Sequence, residues 1–140
     1  MTRYLLDTNV ISELRRSRPR PAVEAWFEGI GRADVVLSAV TLGEIHQGIV
    51  RLGRRDPDQA AVLADWLGRL ERGYSDRILP VTVAVARRWA ELNAVRPLPV
   101  IDSLIAATAI EHGAVLATRN VRDLAGVDVT MVNPFDDQRP

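Results

Sequence analysis

Short apolar runs alternate with longer stretches of helical periodicity, and this alternation constrains the fold more than any other property of the chain. The runs are Tyr4-Leu5-Leu6, Val35-Val36-Leu37-Ser38, Ile78 to Val83, Ala114 to Thr118 and Val129 to Val132. Strands separated by helices of more than two turns make βαβ units, hence a mostly parallel sheet with helices on both faces. The expected fold class is α/β, a three-layer α/β/α sandwich around a central sheet of four to five strands. A chain of 140 residues buries one sizeable core and is short for two. One domain is therefore expected over residues 1–133, followed by a loose polar tail over 134–140.

The intervening segments read as helices with recognisable ends. The first follows Asp7, with Thr8 and Asn9 as candidate N-caps and Val10, Ile11 and Leu14 on its apolar face. Arg15, Arg16, Arg18 and Arg20 then alternate with Ser17, Pro19 and Pro21, which breaks the periodicity and predicts an exposed basic loop. A second helix starts at Pro21 and ends at Gly29 and Gly31. A third starts near Thr41, with Leu42, Ile45, Ile49 and Leu52 at core spacing. A fourth opens at Asp56-Pro57-Asp58 and ends at Gly73. A fifth carries Val85, Ala86, Trp89 and Leu92. The sixth, Val100 to His112, is apolar nearly all round and should be central.

Composition removes several chemistries. With no cysteine, thiol catalysis, disulfides and cysteine-ligated zinc are excluded. All the Lys+Arg residues are arginine, which excludes lysine Schiff bases and the lysine of a P-loop. Acids and bases balance at 18 each, so attraction to nucleic acid has to come from local patches. No apolar run has membrane-spanning length and no leader pattern precedes the first strand, so a soluble protein of the cytoplasm, without a membrane partner, is expected.

Against this background four acids stand out: Asp7, Glu44, Asp102 and Asp123. Each lies where a strand hands over to a helix or in a helix's first turns. In a parallel sheet the carboxyl ends of all strands share one edge, and ligands bind there. Asp7, Glu44 and Asp123 are thereby delivered to one rim, whereas Asp102 reaches it only through an unusual connection of helix six. Capping competes with this reading: Thr41-x-x-Glu44 has the form of a capping box, Asn120-x-x-Asp123 resembles one, and Asp102 lies where the helix dipole favours a carboxylate. Capping alone does not account for Asp7, behind a buried strand, or readily for Asp102 on a buried helix. Carboxylates gathered together repel unless a cation intervenes, and an oxygen-only donor set favours Mg²⁺, with Mn²⁺ as a substitute.

The segments LLDTN, TLGEI, PLPVIDSLIAATA and LATRNVRDL resemble, in order and spacing, the four motifs of the PIN-domain ribonucleases, and among them the VapC toxins of the FitB-like branch. The likeness spans nearly the whole chain. It implies a Mg²⁺-dependent endoribonuclease, the toxin of a type II toxin-antitoxin pair, acting on RNA phosphodiesters through an activated water. Asp7, Glu44 and Asp102 match the family's three main acids and Asp123 its fourth, as catalytic and metal-binding residues. Thr118 and Asn120 match accompanying polar positions. The family usually has an aromatic after the fourth acid, where Leu124 stands here. The resemblance further implies a homodimer and a hetero-oligomer with a cognate VapB-like antitoxin, whose tail covers the acidic pocket.

Arg15 and Arg16 are candidates for gripping substrate, because their loop follows the helix that begins beside Asp7. His46 and His112 fall on helices away from the rim, and Trp26, Trp66 and Trp89 have the spacing of packing residues. Two rivals share the expected layers. A catalytically silent PIN-like RNA- or protein-binding module would not need acids at all four positions. A phospho-receiver domain would need a lysine, which this chain lacks.

Overall fold

The computed structural model describes residues 2–136. Its centre is β1 (Tyr4–Leu6), whose Leu5 and Leu6 are both buried and point to opposite faces, as successive strand residues must. Leu5 joins a cluster with Val36, Ile105, Ala106, Leu116 and Leu124, and Leu6 joins one with Val10, Ile11, Val23, Leu37 and Tyr74. The sheet is thus covered on both sides, and a strand with no solvent face cannot alternate polar and apolar residues. Removing from water a leucine as enclosed as Leu5 contributes roughly 1.5–3 kcal/mol.

The strands β2 (Val35–Ser38), β3 (Ile78–Leu79), β4 (Val115–Ala117) and β5 (Met131–Val132) complete a five-stranded sheet in the order β3-β2-β1-β4-β5. Every pairing is parallel. The helices are α1 (Thr8–Arg15), α2 (Pro21–Ile30), α3 (Ala39–Gly53), α4 (Pro57–Gly73), α5 (Val83–Val95) and α6 (Val100–Glu111). A 3-10 turn over Arg32–Asp34 leads into β2. The expected α/β/α sandwich is the fold observed. α6 contributes Ile105, Ala106 and Ala109 to the cluster on one face, while α1 and α2 cover the other. α3 and α4 pack together around Ile49, Ala60 and Leu67.

Several local expectations are corrected. β3 stops at Leu79 rather than Val83, since Pro80 has no N–H for a ladder and Thr82 instead caps α5 through Val85 N–H at 3.2 Å. α3 begins at Ala39, because the strand's last residue, Ser38, is its N-cap and accepts from Val40 N–H at 3.1 Å. Thr41 therefore lies inside the helix with its hydroxyl buried, and Thr41-x-x-Glu44 is not a capping box. Neither Thr8 nor Asn9 caps α1: Asp7 does. No helix follows Asn120, only a series of turns over residues 121–126, so Asn120-x-x-Asp123 caps nothing.

The polar tail expected to be loose is attached as far as it is described. Pro134 is buried, Phe135 packs against the cluster beneath α1 and α2, and its N–H donates to Asn133 Oδ1 at 3.0 Å. Residues 137–140 of that expectation lie outside the described residues.

Candidate active site

Strand register assembles the site. Leu6 pairs with Ala117, so the residues one step further on, Asp7 and Thr118, emerge side by side at the carboxyl edge of the sheet. Asp7 is only 4% exposed, and a buried carboxylate needs donors. It has three: Thr8 N–H at 2.8 Å on Oδ1, and Asn9 Nδ2 at 3.1 Å and Thr118 Oγ1 at 2.7 Å on Oδ2. Asp7 thus caps α1 and is also held from β4, a double duty that capping or ligation alone would not have described. Oδ1, with one donor, keeps lone-pair capacity, whereas Oδ2 already accepts two bonds.

The neighbouring acids are tied into the same network. Thr8 Oγ1 donates to Glu44 Oε1 in a short hydrogen bond, which turns the second turn of α3 back toward α1. Thr118 Oγ1 accepts Asn120 N–H at 3.0 Å, and Asn120 Nδ2 donates to Asp102 Oδ2 at 3.4 Å. A continuous run of hydrogen bonds, two of them from the backbone N–H groups of Thr8 and Asn120, therefore links Glu44, Thr8, Asp7, Thr118, Asn120 and Asp102.

Asp102 reaches the rim because α5 and α6 form an antiparallel pair joined there. Arg88 on α5 pairs with Glu111 at the far end of α6 at 2.8 Å, while Trp89 Nε1 donates to Ser103 Oγ at 3.0 Å. Asn93 accepts Leu98 N–H at 3.1 Å and donates to Ser103 Oγ at 3.3 Å, fixing the turn that precedes Asp102. Beyond it, Arg96 donates to the carbonyls of Asp123, at 3.3 Å, and Ala125, at 2.7 Å. The loop bearing the fourth acid is thereby clipped to the α5–α6 turn. Asp123 itself is exposed at the edge of the group.

The charges feel one another. Burial is the largest cause pushing the Asp102 carboxyl up to about 6, followed by the carboxylates of Asp7, Asp123 and Glu44, against a smaller pull downward from the Asn120 bond. Among the described residues no arginine forms an ion pair with any of the four acids, whereas Glu13, Asp76, Glu91 and Glu111 each have an arginine partner. In a chain with 18 basic residues this is a concentration of uncompensated charge. Among the described residues no three acidic or histidine side chains are already drawn together around one point as an ion would require. The donor chemistry nonetheless fits a hard divalent cation: oxygen-only, anionic and short of counter-charge.

A family model described as the PIN domain matches residues 4–129. The chain belongs to the PIN-domain family. Toxin FitB of Neisseria gonorrhoeae is 35% identical over 142 residues, an alignment covering 95% of this chain and 99% of that protein. VapC ribonuclease Y4jK of Sinorhizobium fredii is 31% identical over 140 residues, covering 94% and 97%. The crystal structure of FitAcB from Neisseria gonorrhoeae superposes with a TM-score of 0.85 at 34% identity, over 94% of this chain and 97% of the other.

Within this PIN domain the expected substrate-gripping arginines have different fates. Arg15 ends α1 with its guanidinium 5.8 Å from the Trp66 ring, in a groove of about 210 Å³ that also includes Thr8 and Glu44. Arg16 is turned to the buried Glu13 at 3.3 Å. Leu124, where the family's aromatic was expected, is 1% exposed and fills the core beside Leu5 and Leu116. Sequence reasoning took Thr8 and Asn9 for caps and missed them as partners of Glu44 and Asp7. Their position directly after Asp7, each with a side-chain donor, was the available signal.

Proposed function

We propose that this PIN domain is a metal-dependent endoribonuclease and the toxin of a type II toxin-antitoxin pair, acting in the cytoplasm. The observation that carries this reading is the uncompensated acidic cluster built by Asp7, Glu44, Asp102 and Asp123 at the carboxyl edge of a parallel sheet. Its likeness to a toxin and to a VapC ribonuclease over nearly the full length of each supports it.

Asp7, Asp102 and Glu44 are the residues that would hold the ion, with Asp123 at the edge, and Mg²⁺ is the cation their chemistry favours, Mn²⁺ its substitute. Such an ion, when bound, supplies activation of water and neutralisation of charge on a phosphodiester. The chain's own residues supply position. Thr118 and Asn9 fix the carboxylate plane of Asp7, Asn120 aims Asp102, and Thr8 restrains Glu44. With no cysteine or lysine, and with both histidines off the network, the protein is expected to use no side-chain nucleophile.

An antitoxin is the expected partner, since a chain of a toxin-antitoxin complex from Klebsiella pneumoniae matches 95% of this one with a TM-score of 0.71 at 25% identity. An apolar hollow of about 230 Å³ walled by Leu14, Phe27, Trp66 and Leu70, which shares Arg15 and Trp66 with the groove at Glu44, offers such a partner a hydrophobic foothold. A homodimer accompanies this reading. Among the described residues no helix is long and apolar enough to cross a membrane.

The test is incubation of purified protein with total RNA and Mg²⁺ or Mn²⁺, with and without chelator, alongside Asp7→Ala. Cleavage that chelator stops and the substitution removes is expected. Equal cleavage by both proteins would assign the activity to a contaminant and overturn the reading.

A further inference from the structure

Between Thr118, which bonds to Asp7, and Asn120, which bonds to Asp102, the chain places Arg119. Its backbone N–H is fixed by Asn9 Oδ1 at 3.2 Å, and its guanidinium lies 4.2 Å from the centre of the Phe135 ring. Arg20 approaches the same ring from the other end of the chain, at 5.5 Å. Its own N–H donates to the buried carboxylate of Glu13 at 3.1 Å, which anchors the basic loop. Arg119 and Arg122 also line a polar hollow of about 430 Å³ together with Asn120, Asp123, Asn133 and Asp136, so the hollow adjoins the acidic cluster.

Among the described residues none of Arg20, Arg119 and Arg122 forms an ion pair with an acid. An exposed arginine ordinarily samples many rotamers, whereas contact with an aromatic face restricts it before any ligand arrives. Arg20 and Arg119, restrained in this way and without an ion pair among the described residues, suit an anion that comes and goes. A nucleic acid strand crossing the four acids meets repulsion along its backbone, so the phosphates on either side of the reacting one need positive charge close by.

We propose that Arg119 and Arg20, held on the Phe135 ring, together with Arg122 in the hollow beside Arg119, form the seat for backbone phosphates of single-stranded RNA flanking the scissile bond. Phe135 is a positioning residue, holding two of the guanidinium groups without touching the reacting atoms. The inference rests on the ribonuclease reading, and its test separates the two.

Binding is measured by fluorescence anisotropy of a labelled mixed-sequence single-stranded RNA with Mg²⁺ over a KCl series, in an Asp7→Asn background that does not cleave. Arg119→Ala is expected to weaken binding about 5- to 10-fold and to flatten the slope of log affinity against log salt by about 0.7. Arg119→Lys restores the slope, because the charge returns, but not the full affinity, because the planar stack does not. Phe135→Leu keeps the apolar volume and the charge count, so affinity falls while the slope stays. Arg54→Ala, on the exposed turn after α3, changes neither. If wild-type protein cleaves total RNA while Arg119→Ala binds with the parent's affinity and slope, the phosphate seat is overturned and the nuclease reading stands. If the wild type does not cleave and the parent does not bind, both fall.

Discussion

Thr118 Oγ1 donates to Asp7 Oδ2 across 2.7 Å, although the two residues are 111 positions apart in the chain. The bond exists because Leu6 and Ala117 are register partners in the sheet, so the ends of β1 and β4 emerge together. The same hydroxyl accepts Asn120 N–H, which passes the constraint on to Asp102. Thr118→Val keeps the shape and removes the hydroxyl, leaving a buried carboxylate short of one donor. The expected cost is about 1–3 kcal/mol in urea unfolding, with a loss of RNA cleavage, and Thr118→Ser should recover most of both.

Asp102 makes metal-free stability depend on pH in a definite direction. Burial, with the carboxylates of Asp7, Asp123 and Glu44, pushes its carboxyl up to about 6 in the folded protein from an ordinary 3.8. Between those values the folded state holds more proton than the unfolded one, so stability falls as pH rises through the interval. The penalty is absent below about 3.8 and complete above about 6. Asp102→Asn removes it. In chelator, the variant is expected to melt about 3 °C above wild type at pH 8, after allowing for partial exposure, with the difference vanishing near pH 4. The comparison is a pair of thermal melts at each pH.

Divalent cations should reverse that penalty. Mg²⁺ or Mn²⁺ binds the ionised acids of the folded state, so the rise in melting temperature it produces should be larger at pH 8 than at pH 5. Asp102→Asn should abolish most of the rise. A cation-induced shift of equal size at both pH values would mean that the ion binds elsewhere.

Arg96 reaches from the end of α5 to two carbonyls of the loop that carries Asp123. Arg96→Ala frees that loop without removing a buried group. Hydrogen exchange over residues 121–126 is expected to quicken, and kcat for RNA cleavage to fall several-fold while the melting temperature changes by less than about 2 °C.

How much of this was legible in the sequence differs from element to element. β1 and β2 and the handover at Asp7 were readable because Leu5, Leu6 and Val35 to Leu37 form unbroken apolar runs that only a doubly covered strand explains. The start of α3 was not, since Ser38 and Thr41 are both competent caps and the choice depends on where β2 ends. β3 was overextended because Val81 and Val83 suit a strand, while Pro80 and the Thr82 cap decide otherwise. Asp102's arrival at the rim depends on Arg88, Trp89 and Asn93 pinning α5 against α6, and no periodicity encodes such contacts. Phe135 reads as part of a loose tail in the sequence, because its arginine partners, Arg20 and Arg119, are distant in the chain.

The most direct test of the account is anomalous scattering from crystals of the protein soaked in Mn²⁺. A single cluster of anomalous density is expected, with carboxylate oxygens of Asp7 and Asp102 about 2.1 Å away and Glu44 or Asp123 beside it. Protein that cleaves RNA in Mn²⁺ yet shows its anomalous density away from all four acids would contradict it.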